Sequence, residues 1–367
     1  MALKEKNAMI EDLGRLEDSQ ECGNYSLMPK KLKIMHLGLK NPKDKDSFNG
    51  TILETTEEKD LGVTISGDLK AAFDEFHQVQ NLLVFVFLQT YIISLMGNIT
   101  IIFLVKVEPS LHTVMYFFIS VFSFLEIMLV SVIIPKLLAI LISENNVISF
   151  IECFTQMYMF ISFGATECYL LVAMVFDRHL AINNPLHYPV IMTPIFCYKL
   201  VILPWIMGFA TISVPVIMTA CLEFCGPNVI DHFFCDLAPL QNLACSDSFV
   251  SSILTSTVAI SNGALTFSTI IGFYIHIIMT VSKIKSEEGK QKAFSTCSSH
   301  LIVAGLFYGT GTVVYVKPKG SYYDKYLTFM YTALTPMINP FIYTFRNRDV
   351  RNVLRKSVNQ IIKPASL

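Results

Sequence analysis

Charge is what this sequence is shortest of. Only 16% of its 367 residues are Asp, Glu, Lys or Arg, where a soluble domain carries nearer a quarter. So few charges cannot cover an ordinary water-facing surface, and a mean hydropathy of +0.51 makes lipid the expected main solvent. Neither sign prevails, since the formal net charge is −1. A nucleic-acid partner, which needs a basic surface, is therefore not expected. Residues Met1 to Gln20 hold Lys and Glu but no apolar stretch of the kind found in a cleavable leader. Delivery to a membrane is expected to rest on the first spanning helix. No metal cluster, phosphate loop or nucleophile motif stands outside the apolar runs, so the chain is not expected to be an enzyme or to need a cofactor. It also has no repeated halves, which argues against a transporter or channel.

What remains falls into unequal parts. Residues 1–75 mix charge and polar side chains, with runs such as Lys30-Lys31-Leu32-Lys33 and Glu57-Glu58-Lys59-Asp60. The composition turns apolar from Leu82 onward, which places a boundary between about Phe73 and Asn81. The expected organisation is an extension over 1–75 with little structure of its own, a membrane domain over 76–357, and a tail over 358–367. Strand or turn around Gly62-Val63-Thr64-Ile65 is conceivable, but an isolated piece has too little core to hold it.

A helix needs roughly 20 apolar residues to cross the bilayer core. Seven runs qualify: Leu82–Val105, Val114 to about Ile142, about Phe150–Phe176, Leu200–Leu222, Ser248–Ser282, Ala293–Val316 and Tyr326–Phe345. The expected fold is thus an all-α bundle of seven transmembrane helices. Lys106, Arg178, Lys199, Lys283, Lys285, Lys290 and Lys292 gather on one side, joined by Arg346, Arg348, Arg351, Arg355 and Lys356. The opposite loops carry Glu144, Glu223, Asp231, Asp236 and Asp247, with Lys317, Lys319 and Lys325 as a minority exception. Positive residues stay inside, so the N-terminus is expected outside and the C-terminus in the cytoplasm. The basic stretch Asn347 to Ser357 suits either a short helix on the inner lipid surface or a solvated tail. Cys225, Cys235 and Cys245, spaced by tens among the nine cysteines, suit disulfides in an oxidising compartment.

Three groups of residues carry chemistry. Glu126 and Glu167 lie within the second and third runs, and Asn98 and Asn339 within the first and seventh. Ionisable groups at membrane depth are costly and mark function or a paired structural site. The four can be read as one central cluster whose carboxylates share a proton or a cation. They can equally be separate neutral groups, hydrogen-bonded for packing. Asp177 and Arg178 end the third run, where they can form a releasable lock or merely anchor the helix. Asn339-Pro340 puts a proline inside the seventh run. It kinks the helix, leaving backbone groups that Asn339 can satisfy, as a hinge or a static bend.

Ordered motifs add a resemblance. Gly97-Asn98, the stretch Leu111 to Phe118, MVFDRHLAINNPLHYP at 174–189, KAFSTCSSHL at 292–301 and PMINPFIYTFRN at 336–347 follow one another over about 275 residues, 82–356. Together they resemble vertebrate odorant receptors of the rhodopsin-like, G-protein-coupled class. Three positions depart from that pattern: Val114 stands where a proline is usual, His179 where a tyrosine is, and Asn183 where a cysteine is.

The resemblance implies a small odorant ligand and a stimulatory heterotrimeric G protein as partners, at the plasma membrane. It implies that Asp177, Arg178, His179, Tyr274, Lys292, Asn339, Pro340 and Tyr343 serve coupling and activation. A cation, possible as sodium at Glu126 and Glu167 beside Asn98 and Asn339, would tune activation. It implies disulfides Cys153–Cys235 and Cys225–Cys245, with Cys168, Cys197, Cys221 and Cys297 free and Cys22 unassigned. Ligand positions map to Phe160, Ile161, Gly164 and Ala165 on the third helix, Val258 and Asn262 on the fifth, Tyr308, Gly311, Thr312 and Tyr315 on the sixth, and Thr332 on the seventh. With no carboxylate read at the outer end of the third helix, this lining suits a small, mostly apolar molecule better than an amine.

The extension does not fit the odorant-receptor pattern. Lys30 to about Leu69 resembles a fragment of a retrotransposon reverse transcriptase that lacks any polymerase carboxylate motif. No enzymatic role is expected of it. Sequons stand at Asn24 and Asn49. A chimeric product that does not signal, or less readily a transporter or channel, is the alternative to a working receptor.

Overall fold

A backbone crossing hydrocarbon must satisfy its own hydrogen bonds, and the apolar runs do so as long helices. The computed structural model describes residues 62–65, 77–143, 147–225, 229–230, 232–316, 330–346 and 350–355. The long helices are α1 (His77–Val107), α2 (Val114–Ile142), α3 (Phe150–Asn183), α4 (Pro194–Ala220), α5 (Phe249–Lys283) and α6 (Glu287–Val316). A seventh, α7 (Thr335–Arg346), continues from a π-helical turn at Met330–Leu334. Helix returns over residues 350–355. By length and composition, α1 to α5 can each cross a membrane. The first turns of α6 are polar, and the described part of α7 has 12 residues. The seven pack as one transmembrane bundle.

Several helices overrun the apolar runs that announce them. α3 does not stop at Phe176 but continues to Asn183, 34 residues in all. At 1.5 Å per residue it is about 51 Å long, against roughly 30 Å of hydrocarbon. Hydropathy marks the lipid, whereas caps mark the helix. Ser149 caps α3 in a reciprocal box with Glu152, and the Thr193 hydroxyl accepts from the Phe196 N–H above Pro194 at the start of α4.

α2 and α3 are the inner staves. Of the most apolar stretch in each, 56% is buried, against 22% in α1 and α5 and 28% in α4. Phe118, Phe122, Leu125, Phe163, Leu170 and Leu171 fill the space around them. Phe103, Ile206 and Ile260, all exposed, give the peripheral helices an apolar face for lipid. α4 reaches α3 closely because position 208 is glycine: a Cβ there would stand 2.9 Å from the Ser162 oxygen and Thr166 nitrogen of the α3 backbone.

One end of the bundle is closed by a small sheet, in the order β2-β1-β3. β1 (Gly62–Ile65) pairs antiparallel with β2 (Val147–Ser149) and parallel with β3 (Val229–Ile230). The four extension residues that could not hold a strand alone thus find donors and acceptors on two interhelical loops. Below the sheet, Ile148 and Ile230 are buried with Cys153, Cys235, Leu237 and Leu240. Cys153 is bonded to Cys235 and Cys225 to Cys245, tying the α4–α5 loop to the head of α3 and to itself.

Two expectations need correction here. Cys221 is not free but disulfide-bonded; it caps α4 at the sheet end, beside the other bonded cysteines. Cys168, Cys197 and Cys297 are the free thiols among the described residues. A carboxylate does stand at the head of α3: Glu152 lies in its first turn. It accepts from the Ser149 N–H and from Lys136 Nζ at 3.2 Å, because a helix N-terminus and a neighbouring ammonium both favour an anion there. Cys22, Asn24 and Asn49 lie outside the described residues.

Candidate functional site

The middle of the bundle holds the polar cluster. Asn98, Glu126, Glu167 and Asn339 are all buried. Asn339 Nδ2 donates to Glu126 Oε1, and Glu126 and Glu167 are close enough to feel each other's charge. Asn98 turns elsewhere, donating from Nδ2 to the Ser94 oxygen at 3.0 Å and to the Pro336 oxygen at 3.3 Å. That second bond corrects the reading that Asn339 satisfies the kink. Pro340 has no N–H, so the carbonyl four residues earlier, on Pro336, loses its helical donor. Asn98 of α1 supplies one. Gly97 makes room for this approach, since a Cβ there would lie 3.0 Å from Pro340 Cβ.

Four acceptor oxygens remain without a donor: Glu126 Oε2, Glu167 Oε1, Asn98 Oδ1 and Asn339 Oδ1. Buried polar atoms rarely go unpaired, and two adjacent carboxylates cannot both ionise unaided. A donor set made wholly of oxygen fits a hard cation or a shared proton. Among the described residues no group of three His, Cys, Asp or Glu converges as a metal site.

The basic end of the bundle carries a lock. Asp177 is buried and accepts from Arg178 through Nε, at 2.8 Å, and through Nη2. Its other oxygen accepts from Tyr188 Oη at 2.7 Å. Burial and the Asp177 carboxylate both push the Tyr188 phenol above its ordinary range, so it stays a donor. The Tyr188 role was missed in the sequence, although the residue is the last but one of the matched 174–189 motif. Arg178 also points Nη1 at Met115 Sδ of α2, 3.3 Å away. Tyr274 of α5 donates to the Cys297 oxygen of α6 at 3.3 Å. Tyr343 of α7 is buried between the rings of Phe122 and His300. His179 packs against Phe273 and His276 of α5. The Lys292 side chain lies outside the described residues.

The ligand positions are scattered among several environments. Phe160 is buried edge-on against Phe234 of the α4–α5 loop. Ile161 is half-buried against the core and Ala165 buried, with Gly164 between them. Val258 packs on the same cluster as Ala165. Asn262 Oδ1 accepts from the Tyr169 hydroxyl, a partner not foreseen. Tyr308 meets the ring of Phe267 at 5.3 Å. A small apolar cavity lies between α1, α2 and the loop residues Phe233 and Phe234, and of these positions Thr332 alone lines it. Gly311 lies on α6, and the side chains of Thr312 and Tyr315 beside it lie outside the described residues.

A seven-helix membrane bundle with a disulfide-tied cap at one end and an Asp–Arg lock at the other is a multi-pass membrane receptor. The chain belongs to the olfactory receptor family: the family described as "Olfactory receptor" matches residues 87–361. It is 43% identical to Olfactory receptor 6N1 of Homo sapiens over 292 residues, 79% of this chain and 94% of that one. It is 45% identical to Olfactory receptor 1L1 of Homo sapiens over 278 residues, covering 75% and 77% of the two chains. With Olfactory receptor 11H4 of Homo sapiens the identity is 44% over 281 residues, 76% of this chain and 87% of that one. Such proteins are receptors rather than enzymes.

Proposed function

We propose that this chain is an odorant receptor that takes small, mostly apolar molecules into the outer half of its bundle and activates a stimulatory heterotrimeric G protein. The observation that carries the reading is the closed Asp177–Arg178–Tyr188 lock in a chain of this family. A guanidinium held by its own neighbour is withheld from a partner; exchanging that bond for one to an incoming protein is a two-state event of the kind a ligand can bias. The basic end then faces the cytoplasm and the sheet end the outside of the plasma membrane, in line with the Lys and Arg distribution. Phe160, Ile161, Gly164, Ala165, Val258, Asn262, Tyr308 and Thr332 are the positions read as meeting the ligand, and their chemistry is mostly apolar with a few hydroxyl and amide groups. Glu152, held by Lys136 and its cap, does not alter the preference for uncharged ligands.

Glu126 and Glu167, with the amide oxygens of Asn98 and Asn339, hold a cation such as sodium or share a proton. Residues 1–75 form an extension before the receptor domain at 76–357, with a short tail after it, and residues 30–69 descend from a retrotransposon fragment without enzymatic role. The deciding experiment compares surface level and cAMP output, over an odorant panel, for the full chain and for a version starting at Phe76. Odorant-dependent cAMP from either version supports the receptor reading. Surface-exposed protein of both kinds that never raises cAMP refutes it, and a full chain that alone stays silent makes the extension inhibitory.

A further inference from the structure

We propose that two loops at the sheet end of the bundle form a slot that binds an extended peptide strand, filled here in cis by residues 62–65. β2 comes from the α2–α3 loop and β3 from the α4–α5 loop, and each is paired to β1 and not to the other. Paired strands lie about 4.8 Å apart, so the two loop edges stand about 9.6 Å apart, with room for one strand between them. Both edges belong to the part of the chain that matches the family, residues 87–361, whereas β1 precedes it. The receptor domain itself thus presents two rows of backbone donors and acceptors that face each other. A strand laid between them satisfies both at once.

The slot is held from below by a bond in which β1 has no part. Ser149 of β2 is four residues before Cys153, and Ile230 of β3 is five before Cys235. These cysteines are bonded to each other, with Cα atoms 5.4 Å apart. The two edges are therefore fixed relative to each other before any strand arrives, and a preorganised site loses less on binding. Register adds a preference for sequence. Val63 is opposite Ile148 and Ile65 opposite Ile230, and both loop isoleucines are buried at the floor of the slot. Gly62 and Thr64 are opposite Ser149 and Val147, neither of which is buried. The apolar residues of GVTI thus alternate in step with the buried partners, and a shift by one residue puts them out of step. Val, Thr and Ile also favour the extended strand. The ligand class is an extended peptide with apolar, β-branched residues at alternate positions.

Eleven residues, 66–76, join Ile65 to α1. A short tether keeps its strand at an effective concentration on the order of millimolar, so a free peptide competes poorly while β1 is intact. The test is the fluorescence anisotropy of a labelled peptide with the sequence of residues 60–67, DLGVTISG, titrated with purified full chain in detergent. Wild type is expected to take the peptide only at concentrations on the order of millimolar. Val63→Pro in the chain removes a donor from the central strand and empties the slot. This variant is expected to bind one equivalent of peptide at least about tenfold more tightly than wild type. A peptide carrying Val63→Pro, and one in which GVTI is reordered to VGIT, should not bind saturably. A second variant keeps the native strand: Thr64→Cys with Val147→Cys, at registered positions whose spacing suits a disulfide, locks β1 in place and should abolish the wild-type binding. No saturable binding by either wild type or Val63→Pro, equal binding of the three peptides, or binding that survives the cross-link overturns the slot, whether or not the chain signals.

Discussion

Asp177 and Arg178 are neighbours in the chain, yet what makes them a lock is Tyr188, eleven residues on, which takes the second carboxylate oxygen. Arg178 balances the charge of the buried Asp177 carboxylate and is thereby held from other partners, while the Tyr188 hydroxyl donates to the second oxygen. Removing the arginine should therefore silence coupling without emptying the membrane: Arg178→Ala is expected to abolish odorant-driven cAMP at near wild-type surface level. Unchanged cAMP would remove Arg178 from the mechanism. A second residue-scale prediction concerns Glu126 and Glu167. If a cation or proton is shared between them, a ligand that opens the bundle weakens its binding by the same factor. Glu167→Gln and Glu126→Gln should each reduce the response of basal cAMP to sodium. The double variant should fall short of additivity by about 1 kcal/mol, as residues of one site do. Additive effects, or a sodium response surviving in the double variant, would return the carboxylates to separate packing roles.

Among the elements, α7 shows how one helix depends on another. Its proline leaves the Pro336 carbonyl without a helical donor, and the amide of Asn98 on α1 stands in. Interhelical hydrogen bonds in membranes contribute about 0.6 kcal/mol on average and up to about 1.7. Asn98→Ala is thus expected to lower the thermal stability of the detergent-solubilised protein by about 1 kcal/mol. In the Pro340→Ala background, where the restored N–H serves Pro336, the same change should cost distinctly less. Equal costs in both backgrounds would show that Asn98 stabilises through something other than this carbonyl.

For the whole molecule, the sheet is where the extension meets the receptor. β1 is its central strand, and β2 and β3 are each paired to it and not to each other. Val63→Pro removes a backbone donor from a central strand, which a sheet does not tolerate. Amide exchange at residues 147–149 and 229–230 is expected to quicken, while the core helices α2 and α3 keep their protection. Unaltered exchange in those loops would mean that they hold their form without the extension. The disulfides Cys153–Cys235 and Cys225–Cys245 should remain in that variant, because neither involves β1.

Much of this was legible in the chain. Seven apolar runs gave the spans, since hydrocarbon admits few other ways to cross it. The matched motifs gave the family, the lock pair and the loop disulfides. The helix ends were misjudged where capping residues carry the chain beyond the lipid, as at Asn183. What the sequence alone could not decide was pairing at a distance. The donor for Pro336 is 238 residues away, the partner of Tyr169 is 93 residues away, and a strand at Gly62–Ile65 exists only where two loops offer it edges. Local patterns record what each segment prefers, but which unsatisfied group meets which donor is set only when the helices pack.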